Sequence, residues 1–394
     1  MYDYCVIGSG IVGLSTAYNL QRKYPNSQIL VLEKEDSYGL HQTSHNSGVI
    51  HAGLYYKPGS LKSELCREGL QSTIRFCDEN SIKYKNCGKL IVASDDIEKK
   101  RLINLFNTVR KVNKKIELIS STNLSIIEPN IMGKLAVFSP ETSIVNFRDI
   151  SKKLKSLVKY SCEIIYESEV RDIKERKDYV YISTDNGSYK TKKLIVCAGL
   201  QSDRIARIAG VRTDSKIVPF KGEYFRLSSS KNNIVDHLIY PVPDPDLPFL
   251  GIHLTKMIDG GVTIGPNAVL SFAREGYKKF SFNYKDARSA ITFPGLWRLL
   301  WKNRKYITRE IFGSLSKKYF LDECRKYCPS LKLDDLETYS CGIRAQLVSN
   351  KGEAIHDFVI KKTSRMVHVL NAPSPAATSA LPIGEKIISE LEKN

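Results

Sequence analysis

The opening of the chain constrains the fold most. "DYCVIG" reads as a short buried strand. "GSGIVGLSTAYNLQRKY" reads as a tight loop running into a helix that "PNS" stops, and "QILVLE" as a second strand. The loop carries Gly8, Gly10 and Gly13 in a G-x-G-x-x-G pattern, and Glu33 ends the second strand twenty residues past Gly13. Alone, such a pattern is weak. Between a strand and a helix, with an acid at that distance, it predicts a parallel βαβ unit with a dinucleotide site. Gly8 permits the tight turn, Gly10 lets the backbone approach a pyrophosphate, and Gly13 lets helix and sheet pack closely. Ile11 and Val12 open the helix whose N-terminus faces the phosphates, and Glu33 is placed to accept hydrogen bonds from ribose hydroxyls.

Further pieces of parallel sheet recur along the chain. Cys162–Val170 and Tyr179–Thr184 read as strands, and "KKLIVCAG" as a buried strand ending at Ala198 and Gly199. Met366–Leu370 and Ala380–Glu392 read as a final strand and helix. Between them, residues 220–285 are rich in aromatic, β-branched, Gly and Pro residues and predict an antiparallel meander. Helices are expected near Glu98–Lys115, at Ile150–Lys159 and in the basic stretch 290–330. The fold class is therefore α/β plus antiparallel β, a Rossmann-type domain interleaved with a β-sheet substrate domain. The expected division is 1–85, 145–218 and 335–394 for the first, and 86–144 and 219–334 for the second.

Composition narrows the class. The 394 residues hold no apolar run long enough to cross a bilayer, and "MYDYCVIGSG" has no basic region or cleavage site of a secretory signal. A cytoplasmic protein is expected, at most peripheral on the inner face of the cell membrane. The nine cysteines are scattered, form no C-x-x-C pair and have no partners at metal-ligand spacing, so a reducing compartment and no metal are expected. Lys and Arg number 60 against 42 acids, a formal charge of +18. That balance fits a lysine-rich solvated surface, an anionic substrate, an anionic membrane or nucleic acid. No RNA-binding motif accompanies it, so nucleic acid is not expected as a partner.

After the second strand comes "GLHQTSHNSGVIHAGLYYKPGSLK", residues 39–62, too irregular for a helix or strand. A terminal acid at Glu33 fits FAD or NAD better than NADP, and "EKE" with Lys34 resembles a flavoprotein pattern. The cofactor expected is FAD. "LIVCAG" resembles the second flavin-contact strand of such proteins, which implies that Val170 meets the adenine through its backbone. The whole chain then resembles the D-amino-acid-oxidase-like flavoproteins, through 41–62, "PFKGEYF" (219–225), "YPVPDPDLPFLGIHLT" (240–255), "GPNAVLSFAREGY" (265–277) and "NAPSPAATSALPIG" (371–384). Within them it resembles the members that oxidise L-2-hydroxyglutarate to 2-oxoglutarate, passing hydride to flavin N5 and electrons to a membrane quinone or other acceptor.

The resemblance implies that Thr43, Asn46, Ser47 and Gly48 hug FAD between phosphates and ring, and that Ser374, Pro375, Ala376, Ala377 and Thr378 present backbone amides to the flavin. Some relatives attach FAD covalently through a histidine near His45, but non-covalent FAD is favoured. A small dicarboxylate needs a base and carboxylate-binding groups. The base candidates are His51 in "VIHAG" and His253 in "GIHLT". Arg344 in "CGIRA" matches the carboxylate-binding arginine of the wider group, and Lys221, Tyr240 and Tyr56 are candidates for the second carboxylate. His356 in "KGEAIHDFVI" departs from the acidic, regular stretch expected there, which bears on substrate preference. The basic aromatic segment 295–318, with Trp297, Leu299, Leu300 and Trp301 beside Arg298, Lys302, Arg304 and Lys305, reads either as an interfacial helix on an anionic membrane or as a helix packed on its own domain. The competing readings are a related flavin-dependent amino-acid or glycerol-3-phosphate oxidoreductase and, from another class, a nucleic-acid-binding flavoprotein.

Overall fold

The structure is a computed structural model that describes residues 1–244, 251–314 and 316–393, with the side chains at 305, 309 and 312 left aside. The part of the 240–255 motif at 245–250, and the side chain of Lys305, lie outside the described residues.

The first sheet grows from the glycine-bearing opening. Tyr2–Ile7 pairs in parallel with Ile29–Leu32 on one side and Gly187–Val196 on the other. Cys162–Ile165 extends it beyond Ile29–Leu32, and Met366–Asn371 beyond Gly187–Val196, both in parallel. Three of these strands end in apolar runs, CVI, ILVL and LIV, because both faces are covered: one by helices, the other by Val170, Ile173, Val180 and Ile182 of two further strands with Ile205. The helix Ile11–Lys23 packs against Ala380–Glu392, with Ala17 and Leu20 in one core with Ile387 and Ile388. Gly384 permits the approach: a Cβ there would stand 2.9 Å from the Ser15 carbonyl oxygen. Each large side chain buried in this seam contributes about 2 kcal/mol.

The second sheet is mostly antiparallel. Its order runs Val269–Leu270, Ser215–Leu227, Val262–Gly265, His253–Lys256, Leu238–Pro241, Lys89–Ala93, Leu135–Ser139, Glu117–Ser120, with Leu336–Ser349 along Ser215–Leu227. Alternation sorts its two faces. Leu90, Val92, Ile239 and Leu254 pack against Phe320, Leu321 and Cys324 of the helix Lys317–Arg325. The residues between them, Lys89, Tyr240 and His253, therefore lie on the opposite face.

The two sheets take strands alternately from the chain, so the interleaving is as expected. Strand membership differs from the expected boundaries. Leu336–Ser349 and all of Ser215–Leu227 belong to the second sheet, because they pair from Ser215↔Ser349 to Leu227↔Leu336. Val170 does not end the Cys162 strand, which stops at Ile165; it opens a separate strand, Val170–Glu175.

Candidate active site

A cleft of about 1350 Å³ runs between the sheets, from the glycine loop at one end to the Tyr240–His253 face at the other. It is lined by Gly8, Gly10, Ile11, Val12, Glu33, Lys34, Thr43, Asn46, Ser47, Val170, Ala198, Gly199 and all of Ser374, Pro375, Ala376, Ala377 and Thr378. Gly13 and Gly48 do not line it. They act on the backbone instead: a Cβ on Gly13 would lie 1.9 Å from the Gly8 carbonyl oxygen, and one on Gly48 2.8 Å from that of Val145. Gly10 is different. A Cβ there meets only the Thr43 hydroxyl, at 3.5 Å, so the protein itself leaves room for it. The space in front of Gly10 is the cleft.

The cleft suits a dinucleotide cofactor in three ways. The helix Ile11–Lys23 has no side-chain cap and no acid in its first turn, so its positive end is left to an anion. The buried Glu33 carboxylate is fixed by the Ser9 amide at 2.7 Å, the Ser9 hydroxyl at 2.8 Å and the Glu35 amide at 3.1 Å, which leaves acceptor capacity towards the cleft. At the far end, nothing among the described residues accepts from the Ala377 and Thr378 amides. Ser9 was not legible as a site residue, since it fills one of the unspecified positions of the glycine pattern.

The other end is built from adjacent strands. His253 stacks on Tyr240, centroids 4.1 Å apart and planes 6° from parallel, and its Nδ1 lies 2.9 Å from the Thr255 hydroxyl. The His51 amide donates to Thr378 Oγ1 at 3.1 Å, tying it to the flavin-end loop. Arg344 donates to the Asn267 carbonyl at 2.9 Å and lines the same space. Tyr55, Tyr56, Lys62 and His356 complete it. Both imidazoles are pushed towards the neutral form. Burial lowers His51 to about 3, with the charges of Lys89 and Lys62 adding to it. Burial also holds His253 well below the usual imidazole range, with Arg344, His51 and Lys89 acting in the same direction.

Lys221 does not belong to this group. Its Nζ turns away and donates to the carbonyls of Lys278 at 2.6 Å and Lys279 at 3.0 Å. Its neighbours Gly222 and Tyr224 line the cleft, so strand alternation points Lys221 to the other face. Lys62, Tyr55 and the buried Lys89 were missed. The signal for Lys89 was present: one charge in the otherwise apolar strand "KLIVA". His41 lies outside the chemistry, with Glu35 at 2.8 Å and Glu275 at 3.7 Å. Lys34 also reaches Glu275, at 3.0 Å, so this cluster of two acids and a histidine is an ion-pair network. His45 stacks on Tyr277 at 3.7 Å and its Nδ1 lies 3.0 Å from the His41 carbonyl, with the ring on the cleft wall.

Comparison with known proteins gives the family. The chain is 46% identical over 394 residues, all of it and 93% of the relative, to L-2-hydroxyglutarate dehydrogenase of Escherichia coli K12. It is 40% identical to the mitochondrial L-2-hydroxyglutarate dehydrogenase of Caenorhabditis elegans, across 99% of this chain and 93% of that one. Among solved structures, L-alpha-glycerophosphate oxidase from Mycoplasma pneumoniae with FAD bound superposes with a TM-score of 0.81 at 20% identity, over 100% of this chain and 95% of that one. Glycine oxidase from Geobacillus kaustophilus does so with a TM-score of 0.75 at 13% identity, over 99% and 94%. The profile described as FAD dependent oxidoreductase matches residues 3–391. That match spans the glycine loop, Glu33 and residues 374–378, which line one cleft, and the chain belongs to the FAD dependent oxidoreductase family.

Proposed function

We propose that the chain oxidises L-2-hydroxyglutarate to 2-oxoglutarate. The observation that carries this reading is that His51, His253 and Arg344 line the same cleft as the dinucleotide loop, at its other end, where burial pushes both imidazoles towards the neutral form. The names of the full-length relatives supply the substrate. FAD, when bound, supplies the acceptor for the hydride and its two electrons. Gly8, Gly10, Ile11, Val12, Glu33, Lys34, Thr43, Asn46 and Ser47 would hold its nucleotide half, with Val170, Ala198 and Gly199 on the adenine side. Residues 374–378 would hold the ring. Arg344 takes the carboxylate beside the hydroxyl through its planar guanidinium. His253 takes the hydroxyl proton, held in orientation by Tyr240 and the Thr255 hydroxyl. His51 and Tyr56 close the chamber around the reacting carbon. Anaerobic mixing with each enantiomer tests the proposal. The L form is expected to bleach the flavin and the D form to leave it yellow; an unbleached flavin with the L form sinks the reading.

We further propose that electrons leave to a membrane quinone from a peripheral position on the inner face of the cell membrane. No described helix is long and apolar enough to cross a bilayer. The helix Pro294–Lys302 buries Leu296 and Leu299 against its own sheet but leaves Trp297 56% and Trp301 71% exposed. Phe280 and Phe282, in the preceding loop, are also exposed, among Lys278, Lys279 and Lys285. Aromatics and cations on one surface suit an anionic interface. Trp297→Ser with Trp301→Ser is expected to lower co-sedimentation with anionic vesicles about tenfold at low salt. Unchanged sedimentation, or none in the unaltered protein, would discard the idea.

A further inference from the structure

We propose that Lys89 and Tyr55 form the subsite for the substrate's second carboxylate, with Tyr55 donating the hydrogen bond and Lys89 supplying the charge behind it. The inference rests on the substrate reading above and names the part of the site that recognises a dianion.

Lys89 is 1% exposed, on the cleft-facing side of the strand Lys89–Ala93. A lysine in such a place ordinarily meets an acid or a set of carbonyls. Among the described residues Lys89 Nζ has neither. It lies 4.6 Å from the centre of the Tyr55 ring and 5.0 Å from that of Tyr240. Both rings line the cleft. The cation therefore stands directly behind the wall, and among the described residues its neighbours are two aromatic faces and the Cys66 thiol, not an acid.

Tyr55 supplies the independent observation. Its hydroxyl is buried and has no hydrogen-bond partner, although the residue lines the cleft. An unsatisfied buried hydroxyl next to an uncompensated buried cation calls for an acceptor that carries negative charge. The adjacent strand bears Tyr240, and His253 stacks on it from the next. Lys89, Tyr240 and His253 therefore sit on three neighbouring strands, about 5 Å apart from one to the next. That separation suits a substrate with carboxylates at both ends of a short chain, the nearer one on Arg344.

Lys62 is the rival cation. It lines the cleft and lies 4.6 Å over the Tyr56 ring. It differs in having an acid at hand: its amide takes Asp357 Oδ1 at 2.9 Å, and the Asp357 charge acts on its ammonium. Among the described residues Lys89 has no acid beside it, so Lys89 is assigned.

The test uses the FAD-loaded enzyme with two substrates: L-2-hydroxyglutarate, and (S)-2-hydroxypentanoate, which has the same carbon chain without the distal carboxylate. Lys89→Met is expected to raise KM for the dicarboxylate about 100-fold, leaving kcat and the monocarboxylate's kcat/KM within about threefold. Lys89→Arg, which keeps the charge, should recover part of the preference. Tyr55→Phe should lower it about tenfold. Equal losses for both substrates would show a structural role and overturn the proposal. So would an unchanged preference, or a loss of preference in Lys62→Met but not in Lys89→Met. Should Lys89→Met fail to hold FAD, Tyr55→Phe decides, and an unaltered preference there overturns the assignment. Unaltered enzyme that fails to bleach with L-2-hydroxyglutarate would refute the substrate reading itself, a distinct result.

Discussion

Gly13→Ala is expected to purify colourless, with FAD occupancy below about a tenth of that of the unaltered protein. A Cβ at this position would lie 1.9 Å from the Gly8 carbonyl oxygen and 3.0 Å from its carbon. Neither side has room to yield. Gly8 is itself fixed at φ +100°, its amide donates to the Leu32 carbonyl at 2.8 Å, and a Cβ of its own would meet the Cys197 carbonyl at 2.5 Å. The only relief is to move the helix Ile11–Lys23 off the sheet by more than 1 Å, and its N-terminus lines the cleft at the end proposed for the phosphates. Gly10→Ala separates folding from binding. Its methyl meets only the Thr43 hydroxyl at 3.5 Å, so the chain should fold with unchanged melting temperature without FAD yet bind FAD more weakly. Flavin absorbance per protein and thermal unfolding of both variants check this. Gly13→Ala with full flavin content would refute the assignment of the loop. Because FAD is proposed to be non-covalent, acid precipitation of the unaltered protein should leave the colour in the supernatant; colour in the pellet would point to His45.

What was legible in the sequence follows the physics of each feature. The glycine loop, its strand and its acid were readable because each residue type answers a backbone demand that no other residue meets. The interleaving was readable because buried parallel strands are apolar throughout, while the antiparallel stretches between them alternate. The alternation itself was harder to use. "PFKGEYF" places Lys221 one residue from cleft-lining Gly222, and one residue is enough to turn a side chain to the opposite face. Lys89 was not a candidate, although its charge stands out in the strand, for the complementary reason. Every residue of "KLIVA" is buried, so no polar face marks which side the lysine takes. Val170 was placed at the end of a strand because the break after Ile165 carries no proline or glycine. Ser9, Tyr55 and Lys62 belong to the site through long-range packing, which local pattern does not encode.

His253→Asn is expected to lower kcat by about 100- to 10,000-fold, and His51→Asn by less than about tenfold. The difference comes from orientation. His253 has an orienting hydroxyl at 2.9 Å on Nδ1 and a parallel tyrosine at 4.1 Å, which leave Nε2 as the nitrogen for the substrate. Among the described residues His51 is tied only through its backbone amide and carbonyl. The pH dependence gives a second, signed check. Burial and the neighbouring cations depress both imidazoles in the free protein, His51 to about 3 and His253 well below its ordinary range. A depressed base stays unprotonated as the pH falls through 6.5, so kcat/KM should show no fall at the ordinary imidazole pH near 6.5. A bound dianion opposes the charges of Arg344 and Lys89 and makes the imidazolium less costly, so the acid limb of kcat should lie at higher pH than that of kcat/KM. Lys89→Met removes one of the depressing charges and should move the kcat/KM limb upward. An acid limb near 6.5 in kcat/KM, together with a mild His253→Asn, would assign the proton to another group.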